Sequence, residues 1–455
     1  MTNAGACRRA PAPTASCSGR GGLPLAPPPR RSPCDRPPAA VARPRRRGAP
    51  SSHRLQPIAA CASPEIKGNA GRASRDIPAG ADGSGALKTY DVVALSNLCV
   101  DIVLEVPELP PPEPAARQQL LAELTAAKLV EDETWEVGGN ANFMISAARL
   151  GMAVASVGHV NEDDRFGAFL SRVLAEESVR HVERVPLPPA GDGADGAAET
   201  LLCFVLVDPD ARHAFCSRYD FGPWPLLGHV KELPESSMQL LRDTRAVYIN
   251  GFCFDELRPE TVAAAMREAR QAGAAVFFDP GPRSWTMLEG ERRAAMDGVL
   301  ANASVVLVTR EEGEAITGES ASEDIARAFL DRPGTEQLQW VVVKNGAEGA
   351  TLFTREASYT APGFSVDVED TVGCGDSFAA AIVLGYVYQH DVSAILKLAN
   401  AVGAATATQR GAGRNVGRPG TVEELLSGEE GCPDAYTLLR RSRDSSLDSG
   451  DLDWE

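Results

Sequence analysis

The chain has 455 residues, a formal net charge of −17 and 44% hydrophobic residues, enough for one large domain or two medium ones with a sizeable core. The acidic balance argues against a duplex nucleic-acid binder, and no apolar run approaches the roughly 18 residues that a membrane helix needs.

The charge is uneven. Residues 1–60 hold eleven Arg, no Lys and a single acid, Asp35, among Pro, Ala and Ser. An Arg-rich, acid-poor N-terminus is the composition of an organelle transit peptide. Pro interrupts any long amphipathic helix, so the expected location is the chloroplast stroma, with the mitochondrion as second choice. Residues 61–88 read as a linker. The ten cysteines show no Cys-x-x-Cys pair, so neither a zinc site nor a disulfide framework is indicated and a reduced compartment fits.

The ordered domain is expected over 89–425. It opens with a short apolar strand at 91–96. Residues 107–114 form a Pro-rich loop, and 118–130 have helical spacing. After Val137-Gly138-Gly139-Asn140-Ala141-Asn142 comes an Ala-rich helix ending at Leu150-Gly151, a natural C-terminal cap. A strand at 153–160 and a helix at 164–174 follow, then a loop at 186–199. Residues 201–207 and 213–217 predict a hairpin. Antiparallel strands here, about 101–106 and 200–220, suggest a small lid on an otherwise parallel sheet. Strands at 246–249, 274–278, 304–308, 340–343 and 350–353 alternate with helices at 259–271, 310–317 and 322–330. That is a doubly wound α/β pattern. Two helices, about 375–388 and 391–408, lie back to back. The acidic, Ser-rich tail, 426–455, is expected to be disordered.

One stretch organises the rest: Asp370-Thr371-Val372-Gly373-Cys374-Gly375-Asp376-Ser377-Phe378. An alternating run, Phe364 to Val368, reads as a strand before it, and an apolar helix follows. Glycines before a helix let backbone N–H groups approach an anion, and the helix N-terminus favours phosphate. Asp376 in the first turn can cap the helix or take a proton from an attacking hydroxyl. No Gly-x-x-x-x-Gly-Lys-Ser/Thr is present, and no Gly-x-Gly-x-x-Gly follows the first strand.

Taken together, five separated motifs resemble the PfkB family of carbohydrate kinases, the ribokinase-like kinases. The 370–378 stretch is similar to the family's C-terminal signature, with Cys374 for the usual Ala. Gly138-Gly139-x-x-Asn142 leading to Ala147-x-Arg149-Leu150-Gly151 resembles its N-terminal signature, with a gap one residue shorter than usual. Asp164-x-Phe166-Gly167, Phe278-Asp279-Pro280-x-Pro282-Arg283 and Gly346-x-x-Gly349 match in family order. The resemblance covers roughly 89–420. It implies a ribokinase-like three-layer αβα body with a mostly parallel sheet and a small β lid.

The resemblance also implies roles. Asp376 would be the catalytic base, with the amides of Gly373, Cys374 and Gly375 as an anion hole for the transferred phosphoryl. Asp101, at the end of the first strand, would bind vicinal sugar hydroxyls, with Asn97, Gly138, Gly139 and Asn142 around the sugar. Glu312 would order Mg²⁺ through water, with Thr309 where the family has Asn. Lys344, Gly346 and Gly349 would approach the nucleotide phosphates, and Asn400, Ala404 and Gly411 would line the adenine. Asp370 corresponds to the residue near a K⁺ site in some relatives. Arg212 and His213, on the lid, are read as exposed hairpin charges, with a contact to the substrate as the alternative. The implied activity is ATP-dependent phosphorylation of a hydroxymethyl group on a small sugar. A nucleoside kinase, a non-catalytic plastid scaffold and a nucleotide sensor are the alternatives. No nucleic-acid or membrane partner is expected, and a homodimer through the lid is an open alternative.

Overall fold

A computed structural model describes residues 88–111, 113–127, 134–186, 199–209, 213–222, 224–428 and 432–447, with the side chains of 443–447 apart. The expectations for residues 1–60, for the 61–87 part of the linker, for most of the 186–199 loop, for Arg212 and for 448–455 lie outside the described residues.

Among the described residues, thirteen strands form two sheets. They are β1 (Tyr90–Leu95), β2 (Leu98–Glu105), β3 (Trp135–Gly139), β4 (Val154–Gly158), β5 (His181–Arg184), β6 (Leu202–Val207), β7 (His213–Ser217), β8 (Thr244–Asn250), β9 (Ala275–Asp279), β10 (Val305–Thr309), β11 (Trp340–Lys344), β12 (Ala350–Phe353) and β13 (Ser358–Ala361). The body sheet has the order β13-β12-β11-β10-β9-β8-β1-β4-β5. It is parallel from β11 to β5, and β12 runs antiparallel to both of its neighbours, β11 and β13.

Alternation along each central strand builds two cores. Val92 and Ala94 of β1 join Tyr248 and Phe277 on one face, under the helices Asn140–Arg149, Cys374–Val387 and Val392–Ala407. Val93 and Leu95 join Ile249 and Phe278 on the other, under the helices Pro259–Gln271, Arg310–Thr317 and Ser322–Leu330. Strands buried on both faces read as unbroken apolar runs, as parallel strands do. The Cys374–Val387 helix is buried over nine consecutive residues, Ser377 to Gly385, because it packs on the sheet between the Asn140–Arg149 and Val392–Ala407 helices. The result is a three-layer α/β fold.

The second sheet, in the order β3-β2-β6-β7, stands on the C-terminal end of β1. It holds the lid strands expected at about 101–106 and 200–220 and reaches further, because β2 begins at Leu98 and β3 belongs to it as well. β2 and β6 are parallel, and the other pairs are antiparallel.

Two local expectations are corrected. Phe364 to Val368 is not a strand. Phe364, Ser365, Val366 and Val368 line a cavity instead of pairing with a strand. The segment Pro433–Leu447, expected to be disordered, is a helix. Ala435, Leu438 and Leu439 fall on one face at helical spacing and are buried in the larger core.

Candidate active site

The crevice lies where strand C-termini converge, the usual ligand position in an open α/β sheet. Asn250, Asp279, Thr309 and Lys344 end β8, β9, β10 and β11, and the register pairs Asn250 with Asp279 and Thr309 with Lys344. Two cavities open there. One, of about 620 Å³, contains Asn97, Asp101, Gly139, Asn142, Tyr248, Asp279, Glu312, Gly373 and Asp376. The other, also about 620 Å³, contains Gly346, Gly349, Phe364, Cys374, Asn400 and Ala404. Thr309, Lys344, Thr371 and Gly375 line both, so the cavities meet at those residues.

On the first side, β1 ends and the chain turns through Ser96 and Asn97 into β2. Asp101 sits within β2, opposite Glu136 of β3 and Cys203 of β6. It is therefore a lid residue, not the end of the first strand. Gly138 makes room for it: a Cβ there would lie 2.2 Å from Asp101 Oδ1. If this cavity holds the sugar and the other the nucleotide, as the resemblance implies, Gly138→Ala is expected to displace the carboxylate and raise the sugar KM by about 10–10²-fold, the worth of hydrogen bonds to a charged group. The KM for nucleotide should stay within about twofold. Steady-state kinetics with each substrate varied in turn checks this.

Asn142 lines the cavity, but both ends of its amide are engaged. Nδ2 donates to Asp376 Oδ2 at 3.2 Å, and Oδ1 accepts from the Gly413 amide at 2.8 Å. It orients Asp376 and ties in the loop after the Val392–Ala407 helix, beyond the sugar contact expected of it. Asp376 opens the first turn of the Cys374–Val387 helix. Burial, with Asp279 adding, pushes its carboxyl up to about 7, against the hydrogen bond from Asn142 and the charge of Lys344. Burial also pushes Asp101 up to about 7.

Gly373 has φ +80 at the N-cap of that helix, a left-handed conformation that glycine accepts without cost. The Cys374 amide donates to Thr371 O at 3.3 Å. Of the three amides expected to form the anion hole, it is thus already engaged, which leaves those of Gly373 and Gly375. Burial and the charges of Asp370 and Asp376 push the Cys374 thiol up to about 12, so it remains protonated.

Lys344 is the cation at the junction. A Cβ on Gly375 would lie 3.5 Å from its Nζ. Nζ donates to Asp279 Oδ2 at 2.6 Å, and this side chain is only 12% exposed. Burial opposes its charge, but Asp279 and Glu312 overcome that and hold its pKa above the ordinary lysine value. Thr309 forms a capping box with Glu312. Thr309 N donates to Glu312 Oε2 at 2.8 Å, and Glu312 N donates to Thr309 Oγ1 at 3.2 Å. Burial, set against the Lys344 charge, raises the Glu312 pKa.

On the second side, Asn400 lines the cavity and also ties its helix to the end of β13, with Nδ2 donating to Ala361 O and Pro362 O, each at 3.0 Å. Gly411 lines neither cavity. Its amide donates to Asp370 Oδ2 at 3.0 Å, while Val372 N donates to Oδ1 at 3.0 Å. Asp370 thus latches the glycine turn to the loop at 411.

Several lining residues had no role in the site assigned from sequence: Tyr248, Asn250, Asp279 and Thr371, and the aromatic rim of Phe215, Tyr219, Phe252 and Trp285, the last of which reads from sequence as core or loop packing. Asn250 and Asp279 are strand-end residues, so the rule that such folds bind ligands at strand C-termini could have found them. His213 also lines the cavity, from the lid edge.

Residues 115–417 match the model of the pfkB family carbohydrate kinases. The chain is 33% identical over 277 residues to an ATP-dependent ribose-1-phosphate kinase of Halopiger xanaduensis, covering 60% of this chain and 82% of that protein. It is 31% identical over 286 residues to a fructokinase-1 of Oryza sativa subsp. japonica, covering 60% and 83%. In fold it is similar to an Arabidopsis thaliana ribokinase complexed with ribose and ATP, with TM-score 0.57, 19% identity, and 75% and 100% of the two chains covered. It is also similar to an E. coli protein described as a ribokinase II, in complex with ATP and Mg²⁺, with TM-score 0.58, 21% identity, and 74% and 99% covered. With its signature residues gathered where the two cavities meet, the chain belongs to the pfkB family of carbohydrate kinases, phosphotransferases with an alcohol acceptor.

Proposed function

We propose that the chain transfers the γ-phosphoryl group of ATP to a hydroxymethyl group of a small sugar. The observation that carries this reading is the meeting of the two cavities at Lys344, Thr371 and Gly375, with Asp376 on the first side. The acceptor occupies the first cavity, its hydroxyls held by Asp101 and Asn97. The nucleotide occupies the second, its adenine among Phe364, Val366, Asn400 and Ala404. The acceptor hydroxyl gives its proton to the Asp376 carboxylate as its oxygen bonds to the γ-phosphorus. The bond to the β–γ bridging oxygen breaks, and ADP leaves. Lys344 and the amides of Gly373 and Gly375 face the charge on the phosphoryl oxygens.

Asp279 and Glu312 are oxygen donors at the junction, the kind that suit Mg²⁺, which keeps several waters and takes one or two carboxylates beside substrate phosphates. Mg²⁺ would neutralise phosphate charge there. A K⁺ dependence through Asp370 is a separate proposal. So are a plastid location, which rests on the composition of residues 1–60, and a homodimer through the lid. In the last case, Leu120, Leu121 and Leu124 of the helix Pro114–Ala126 pack on the core that holds the lid residues Ile102 and Phe204, so the chain covers part of that lid itself.

A specific observation favours a nucleoside as second reading. The outer part of the acceptor cavity is aromatic, with Trp285 64% exposed and Phe215 39% exposed beside Tyr219 and Phe252. A planar base would stack there, whereas a lone pentose would leave the rings wet. ADP formation by the full chain with Mg-ATP and D-ribose, D-fructose or adenosine decides between them. No stimulation by any of the three would count against the reading for these acceptors.

The acceptor kcat/KM should fall as pH drops below about 7. Both Asp376 and Asp101 sit near that value in the free protein and must be ionised to accept a proton or a hydroxyl hydrogen bond. A flat profile from pH 5.5 to 8.5 would contradict this.

A further inference from the structure

Glu256 is a buried carboxylate that the mechanism leaves unused. It ends the short helix Cys253–Glu256 after β8, is 0% exposed, and lines neither cavity. A carboxylate in such a place is costly unless its oxygens are hydrogen-bonded. Here it has three donors. The Asn97 amide donates to Oε2 at 2.8 Å, the Ser96 hydroxyl donates to the same oxygen, and the Tyr219 hydroxyl donates to Oε1 at 2.5 Å.

Those donors come from two places. Ser96 and Asn97 form the corner between β1 of the body and β2 of the lid. Tyr219 follows β7 at the far edge of the lid. The corner is strained, with φ +66 at Ser96 and +58 at Asn97, two consecutive non-glycine residues in the left-handed region. Such backbone persists only where its surroundings hold it. Asn140 holds the other side: its amide N donates to Asn97 O at 2.7 Å, and its Nδ2 donates to Leu95 O at 3.2 Å and Ser96 O at 2.5 Å. Asn97 and Tyr219 both line the acceptor cavity, and Asp101 lies four residues beyond the corner on β2.

We propose that Glu256 is a positioning residue for the acceptor: by gathering the Ser96–Asn97 corner and Tyr219 on one carboxylate, it fixes how the lid presents Asp101 to Asp376 on the body. The inference rests on reading the first cavity as the acceptor site. Holding the corner is the work of a hydrogen-bond acceptor rather than of a charge. Gln can do it, with Oε1 toward Ser96 and Asn97 and Nε2 donating to the Tyr219 oxygen, whereas Ala cannot.

The test uses the full chain as Glu256→Ala, Glu256→Gln and the double variant Glu256→Ala/Ser96→Gly. KM values are measured for ATP and for whichever of D-fructose, D-ribose and adenosine the wild type phosphorylates. Amide hydrogen exchange over residues 96–105 is measured alongside. Glu256→Ala should raise the acceptor KM about tenfold or more, leave the ATP KM within about twofold, and speed exchange over 96–105. Glu256→Gln should stay near wild type in both. Adding Ser96→Gly should recover part of the acceptor KM, because glycine takes φ +66 unaided, and simple loss of packing would not be rescued that way. If Glu256→Ala does not fold, Tyr219→Phe, which removes one donor and little volume, should show the same split between the two KM values. An acceptor KM that is unchanged or moves together with the ATP KM, an unchanged exchange pattern, or a double variant no better than Glu256→Ala would overturn the proposal. A wild type that phosphorylates none of the three probes would count against the kinase reading for those acceptors, and the exchange measurement would still decide whether Glu256 holds the corner.

Discussion

Asp376→Asn is expected to lower turnover by about 10²–10⁴-fold while ATP still binds, the usual contribution of a positioned general base. The substitution keeps size and shape. Asn142 still has an oxygen to donate to, and the Ser377 amide bond to Gly373 O, 2.9 Å, does not involve the side chain. The variant should also be no less stable than wild type at pH 8. The reason is the sign of the linkage. Burial raises the folded-state pKa of Asp376 to about 7, from an ordinary value of 3.8. Between those values the folded protein binds more protons than the unfolded chain, so ionising Asp376 costs stability as pH rises. Asn removes that cost. Thermal unfolding at pH 8 therefore separates loss of chemistry from loss of fold. A variant that is equally stable and equally active would remove Asp376 from the role of base.

Lys344→Met should be nearly as damaging, by a different route. Lys344 is the cation where the cavities meet, and its ammonium lies beside the Gly375 backbone. Losing a donor aimed at developing charge costs about 10²–10³-fold in turnover in comparable oxyanion sites. The change also strands Asp279, 5% exposed, which is bonded to Lys344 at 2.6 Å. Breaking a buried pair by removing one partner typically costs about 3–5 kcal/mol. So Lys344→Met should lower both activity and Tm, whereas Asp376→Asn lowers activity alone. The double variant Lys344→Met/Asp279→Asn should recover stability without recovering turnover. A Lys344→Met protein with wild-type kcat would show that the ammonium serves only to pair Asp279.

The parts of the fold that were legible in the sequence are those in which local pattern and tertiary role coincide. The β8–β11 strands are apolar runs because both faces are buried, and the glycine turn at 370–376 carries its own backbone demand. Elsewhere one pattern served another purpose. Phe364, Val366 and Val368 wall a cavity together with Ser365 and pair with no strand, although their alternation reads as one. The tail hid a helix because its Ser and acidic residues masked the spacing of Ala435, Leu438 and Leu439. At the site, residue types were readable but partners were not. Asn142 reads as a sugar ligand, yet its amide spans Asp376 and Gly413, 234 and 271 residues away in the chain. Lys344 reads as a phosphate contact. Its bond to Asp279 links two strand ends that only the sheet order brings together. Glu256 carried no motif at all, because its meaning lies in the corner it faces.

The central claim, that the two cavities form one phosphoryl-transfer site, is tested most directly by following the γ-phosphoryl label of ATP. The full chain is incubated with γ-labelled Mg-ATP and each acceptor. Label should appear on the acceptor in step with ADP, with little released as inorganic phosphate, and the transfer should be lost in Asp376→Asn. Label that appears only as inorganic phosphate, at the same rate with and without acceptor, would contradict the account.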